Sequence, residues 1–220
     1  MGHLYALDFD GVLCDTCGET AISALKAAKL RWPALFDSVD SATEDWIVEK
    51  MIAVRPVVET GYETLLLVRL LLETRVPSIR KSSVADGLTV ESILENWFQL
   101  KPIVMEEWKE NRDDLIELFG KGRFADALLK ELAGITIPPE SPKVEVLKKL
   151  QKMPEHQGLT LHFVEDRLAT LKNVIKEPEL DNWNLYLVNW GFNTQKERDE
   201  AAANPRIQLL ELSDFSSKLK

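Results

Sequence analysis

The stretch LYALDFDGVLCD, Leu4 to Asp15, decides how the chain is read. Four mostly apolar residues run straight into two carboxylates, Asp8 and Asp10, and then a glycine, Gly11. A short apolar run closed by a turn residue is the pattern of a buried parallel strand, so HLYAL is expected to end near Asp8 and the chain to turn at Gly11. A second stretch repeats the arrangement: LTLHFVED is an apolar run that ends in Glu165 and Asp166.

Around that second stretch, helical and strand-like segments alternate. RFADALLKELAG, PKVEVLKKLQK, RLATLKNVIK and QKERDEAAA have helical character, while ITIP, NLYLVNW and RIQLLEL are strand-like. This alternation predicts an α/β fold, a Rossmann-like parallel sheet core with helices on both faces. Such sheets bind ligands beyond the carboxyl ends of their strands. The acids that close two strands should therefore meet in one crevice.

From residue 19 to 119 the pattern is helical throughout. ETAISALKAAKLRW is one helix, Thr43 caps a second through DWIVEKMIAV, and a third opens at Pro56 in PVVETGYETLLLVRLLLET. TVESILENWFQL and PIVMEEWKENRDDLIELF follow as two more. The expected organisation is a core of residues 1–18 plus 120–220 with an all-helical insertion at 19–119. A chain of 220 residues with 45% hydrophobic content can bury such a core.

A net charge of −9 disfavours nucleic acid or an anionic membrane as a general partner, yet leaves room for a small anion held locally. No apolar run approaches the roughly 20 residues of a membrane span, and the first residues lack the pattern of a signal peptide. A soluble protein inside the cell is expected. The cysteines, Cys14 and Cys17, are too few for a disulfide framework or a four-ligand zinc site, in keeping with a reducing compartment. His3, His156 and His162 share no metal-ligand spacing, and structural roles are expected for them.

Carboxylates that face one another repel unless a cation lies between them. Magnesium is the natural candidate, because it takes hard oxygen ligands and usually arrives with phosphate. Asp8, Asp10, Glu165 and Asp166 supply those oxygens. On these residues the chain resembles the haloacid dehalogenase (HAD) superfamily. DFDGVLCD resembles its first signature, FVEDR its acidic fourth, and SPKVEVLKKL its third, in which a lysine enters a helix. The nearest likeness is to an unassigned hydrolase-like branch from photosynthetic organisms, which leaves cytoplasm or plastid open.

The resemblance implies a magnesium-dependent phosphohydrolase acting on a small phosphorylated metabolite. Asp8 would be the nucleophile that becomes an aspartyl phosphate, and Asp10 the general acid and base. Magnesium would be held by Asp8, the main-chain carbonyl of Asp10 and Asp166, with Glu165 in or near the shell. Lys143 would place a fixed positive charge against the phosphoryl oxygens. Main-chain amides around Phe9 and Gly11 would add hydrogen bonds. The second acid, Asp10, favours phosphate transfer over dehalogenation, since a departing halide needs no proton.

The helical insertion resembles the family's cap. Its expected specificity residues are Arg55, Glu59 and Tyr62, whose spacing of four and three would put them on one helix face. One signature is missing: no serine or threonine closes a strand between DLIELFG and GRFADALL. Either the chain has lost that strand, or the sequence is short of segments that the intact protein contains. Loss of a central strand would cost more stability than a small domain holds, which favours the second alternative. An intact mass equal to that of these 220 residues would sink it. Two further readings stay open, a HAD-fold binding or regulatory protein without turnover, and a phosphotransferase such as a sugar-phosphate mutase.

Overall fold

A computed structural model describes residues 2–59, 61–108 and 143–218. It divides them into two compact units, residues 2–16 with 143–218, and residues 17–108. The chain thus passes from one unit to the other at Thr16 and Cys17, and the return crossing lies outside the described residues. So do the expected strand ITIP and the region where the missing signature was sought.

The first unit is an α/β layer. Its strands are β1 (His3–Leu7), β2 (Thr160–Glu165), β3 (Trp183–Val188) and β4 (Ile207–Leu210), all parallel, in the order β1-β2-β3-β4 among the described residues. Leu7 pairs with Val164, and the Asp8 amide donates to the Val164 carbonyl at 3.0 Å, carrying the pairing one residue past the strand. Period-two alternation sorts the side chains. Leu161, Phe163, Trp183, Leu185, Leu187 and Ile207 face one side and form a core with Leu147, Leu168, Leu171, Val174 and Ala201. These last come from α6 (Lys143–Lys152), α7 (Leu168–Ile175) and α8 (Gln195–Ala202). Val12, Val164, Val188 and Leu210 form a second cluster on the other face, joined by Trp190 and by Phe215 of α9 (Leu212–Lys218).

That second face also carries a polar ladder across three strands. His3 Nδ1 and His162 Nε2 share a hydrogen bond of 2.9 Å, and His162 Nδ1 shares another with the Tyr186 hydroxyl at 3.2 Å. The Tyr5 ring stacks on His162 at 4.5 Å between centroids. His162 is buried, as a structural residue would be. Burial, followed by the proximity of His3, holds its imidazole below the ordinary value of 6.5. A lowered folded-state value means that the unfolded chain takes up the proton first, so this contribution is present above pH 6.5 and fades as the pH falls below it. His162→Phe is accordingly expected to flatten the acid side of the stability profile. Thermal melts across that window check this, and an unchanged acid slope would overturn it.

The second unit is helical: α1 (Cys17–Arg31), α2 (Pro33–Phe36), α3 (Ser41–Ala53), α4 (Gly61–Arg75) and α5 (Val90–Glu107). Leu65, Leu66, Leu67, Val68, Leu70, Leu71 and Leu72 of α4 are all buried, the signature of a helix surrounded by its neighbours. Its buried charges are paired. Glu63 accepts from Lys101 Nζ at 2.5 Å, and Glu73 accepts from Arg69 Nε at 3.0 Å while the Arg69 guanidinium lies over Trp108. Trp32, Trp97 and Trp108 are buried in this core, as helix-packing residues.

Three local expectations are corrected. The cap of α3 is Asp40, whose carboxylate accepts from the Thr43 amide at 2.8 Å, so Thr43 lies inside the first turn. Helix α5 runs through Pro102 without ending there. Ile93, Trp97, Val104 and Trp108 bury the same stripe on both sides of the proline, which stands exposed, so packing outweighs the lost hydrogen bond. Third, no helix starts at Pro56: Arg55–Val57 is a single 3₁₀ turn, and α4 begins at Gly61. Among the described residues no helix is long and apolar enough to cross a membrane.

Candidate active site

The carboxyl ends of β1, β2 and β3 define the site, because parallel pairing in register brings their last residues level. Asp8 follows β1, Glu165 closes β2, and Asp166 comes next. These three each offer an oxygen within 4.8 Å of the others. Glu165 and Asp166 are buried, while Asp8 keeps some solvent contact.

Lys143 is the first residue of α6, and α6 packs on the face to which Glu165 points. Its ammonium therefore meets the acids directly, at 2.6 Å from Glu165 Oε2 and 2.8 Å from Asp8 Oδ1. The other Glu165 oxygen accepts from the amides of Asp166 and Arg167, each at 3.1 Å. Burial pushes the Glu165 carboxyl up to about 8, against the pull of Lys143 and with the help of Asp8. Burial works against the Lys143 ammonium as well, but Glu165 and Asp8 outweigh it and hold its pKa above the ordinary value. A positive charge thus stands fixed between two strand ends.

Asp10 lies outside this cluster of carboxylate oxygens. Its side chain is exposed and accepts from the Thr16 hydroxyl at 2.9 Å. Gly11 is required for a reason different from the one expected. Its amide donates to the Cys14 carbonyl at 2.8 Å within the turn, so it is not offered to a substrate. Instead, Gly11 has a φ of +81°, and a methyl group there would stand 2.3 Å from Asp166 Oδ2. Cys14 is exposed and Cys17 buried, and neither is in a disulfide.

Arg55, Glu59 and Tyr62 do not share a helix face. Arg55 lies in the 3₁₀ turn and donates from Nη1 to the Val58 carbonyl at 3.2 Å. Glu59 precedes α4, and its amide donates to Glu63 Oε2 at 2.5 Å. Tyr62 is in α4, with its side chain outside the described part.

The sequence reading overlooked the loop after β3. The Phe192 amide donates to Asp166 Oδ2 at 2.8 Å, and the Asn193 side-chain amide donates to the carbonyls of Asp166 and Val188, both at 2.8 Å. The available signal was positional: if ligands bind beyond the strand ends, the loop after a third parallel strand belongs to the same crevice.

No family model, curated protein or solved structure matches this chain. The arrangement of hard oxygen donors suits a magnesium ion in chemical type, and the adjacent ammonium suits an oxyanion.

Proposed function

We propose that the protein is a magnesium-dependent phosphohydrolase of the HAD type, acting on a small phosphorylated metabolite. The observation that carries this reading is the Lys143 ammonium, set between Asp8 and Glu165, whose oxygens lie within 4.8 Å of one from Asp166 at the carboxyl ends of parallel strands. A surface ion pair would need neither the burial of Glu165 nor two main-chain amides behind it.

In this reading Asp8 attacks phosphorus, the bond to the leaving oxygen breaks, and an aspartyl phosphate forms. Asp10 protonates the leaving alkoxide and later takes a proton from the water that hydrolyses the intermediate. The Thr16 hydroxyl orients Asp10 while its exposure lets protons exchange with solvent. Lys143 binds the phosphoryl oxygens, and Glu165 keeps its ammonium in place. Magnesium, held by Asp8, the main-chain carbonyl of Asp10 and Asp166, would neutralise charge between the nucleophile and the phosphoryl group. The helical unit would serve as the cap that selects the metabolite.

Phosphate release from a panel of phosphorylated metabolites, with and without magnesium, tests this. Turnover that requires the metal supports it. No turnover from folded protein that still binds magnesium moves the reading to a binding or regulatory protein.

A further inference from the structure

Asp166 is held by one short loop, Trp190 to Asn193, through both its carboxylate and its main-chain carbonyl. The Phe192 amide takes one of its carboxylate oxygens at 2.8 Å, and Asn193 Nδ2 takes its main-chain carbonyl at the same distance. Asn193 is buried and uses its whole side chain. Its two N–H bonds go to the carbonyls of Asp166 and Val188, and its oxygen accepts from Arg198 Nη1 at 2.9 Å. Arg198 also donates to the Asn193 main-chain carbonyl at 3.0 Å. This pattern fixes which end of the amide is nitrogen, since an oxygen turned toward two carbonyls would be repelled. The anchor is firm because Arg198 belongs to α8, whose first turn is closed by a reciprocal Thr194–Glu197 capping box.

Two glycines complete the enclosure. A methyl group at residue 191 would lie 2.3 Å from the Asp166 Cβ and 2.9 Å from the Gly11 carbonyl oxygen. Gly11 crowds the same carboxylate from the nucleophile loop. Trp190 links the loops a second time, its indole N–H donating to the Val12 carbonyl at 3.1 Å. One loop thus holds both the carboxylate and the main-chain carbonyl of the same acid.

We propose that Asn193 is a positioning residue for cation binding: with the Phe192 amide and Gly191 it fixes Asp166 against Asp8, so that both present oxygens to one divalent ion. The inference rests on the magnesium reading above and adds to it which residues set the metal affinity. Outer groups that orient a ligating side chain commonly account for about 10- to 100-fold in metal affinity.

The experiment is calorimetric titration with magnesium chloride alone, on the full chain as wild type, Asn193→Ala, Trp190→Phe and Asp166→Asn, with folding checked by circular dichroism. Asn193→Ala is expected to weaken magnesium about 10- to 100-fold. Trp190→Phe keeps the ring beside Phe215 and loses only the bond to Val12, so it should weaken binding less and remain folded if Asn193→Ala does not. In turnover the Asn193 variant should need more magnesium while its kcat at saturating metal stays within a few-fold of wild type. A purely structural residue would lower the melting temperature and leave the magnesium affinity unmoved. Magnesium affinity unchanged in both loop variants, with wild type binding and Asp166→Asn not, would overturn this inference alone. Absence of binding by the wild type would overturn the magnesium reading and this inference with it.

Discussion

Asp8→Asn is expected to lower metal-dependent phosphate release by roughly 10⁴-fold or more, the scale seen when a covalent nucleophile is removed. An amide oxygen neither attacks phosphorus at a useful rate nor offers full charge to a cation. The chain should nevertheless stay folded. Lys143 loses one of two carboxylates, but Glu165 remains 2.6 Å away and the mutual repulsion of Asp8 and Glu165 disappears. Both Asp8 and Lys143 also keep solvent contact, so the net loss should be about 1 kcal/mol or less. Phosphate release and a thermal melt on the same preparation give both numbers. A folded Asp8→Asn protein with activity within tenfold of wild type would remove Asp8 from the nucleophile's role.

The parts of the fold that were legible are those in which side-chain chemistry repeats with a period. Apolar runs that end in acids, at Leu7–Asp8 and Val164–Asp166, are strands whose tips meet because parallel register forces them to. Lys143 was reached only through the resemblance, as a lysine that enters a helix, and the structure starts α6 at it on the face to which Glu165 points. The loop from Trp190 to Asn193 was not legible, because the Phe192 contact to Asp166 uses a main-chain amide, which leaves no mark on residue type, and an asparagine after a glycine reads as an ordinary turn residue. Gly191 gave only the weak signal of any turn glycine, although its role is to admit the Asp166 side chain.

Helix boundaries failed where two local preferences competed. Asp40 and Thr43 are both good cap residues three positions apart, and only the bond from the Thr43 amide to Asp40 decides between them. Pro102 is a helix breaker by local rule, overridden by buried residues on both sides of it. Arg55 was misjudged in the opposite sense. Pro56 suits the first turn of a helix, but the turn it opens closes after Val57, which separates Arg55 from α4 and leaves the expected shared face without a helix to carry it.

Lys143→Met should cost about 3 kcal/mol of stability at pH 9.5 and clearly less at pH 7, because above pH 8 wild-type Glu165 ionises beside its counter-charge and the buried carboxyl of the variant cannot. The estimate sits at the low end for a broken buried pair, since Lys143 itself retains solvent contact. Its pH dependence follows from Glu165, whose carboxyl burial already raises to about 8 from an ordinary 4.5. Removing Lys143 removes the largest influence opposing that rise. A group with a raised folded-state value contributes most below its unfolded value and loses that contribution as the pH climbs toward the folded one. The variant's deficit should therefore stay nearly level between pH 5 and 7, where Glu165 is protonated in both folded proteins, and widen above pH 8, where only wild type has the ammonium to offset ionisation. Urea unfolding of both proteins at pH 7 and pH 9.5 measures it. An equal deficit at both would mean that Glu165 is not the group left exposed to the change. Magnesium adds a third comparison: a cation bound among Asp8, Glu165 and Asp166 restores positive charge where the lysine stood, so it should stabilise the variant more than the wild type. If it stabilises neither, the oxygens beside Lys143 do not hold the metal, and the ammonium alone carries whatever anion binding the site performs.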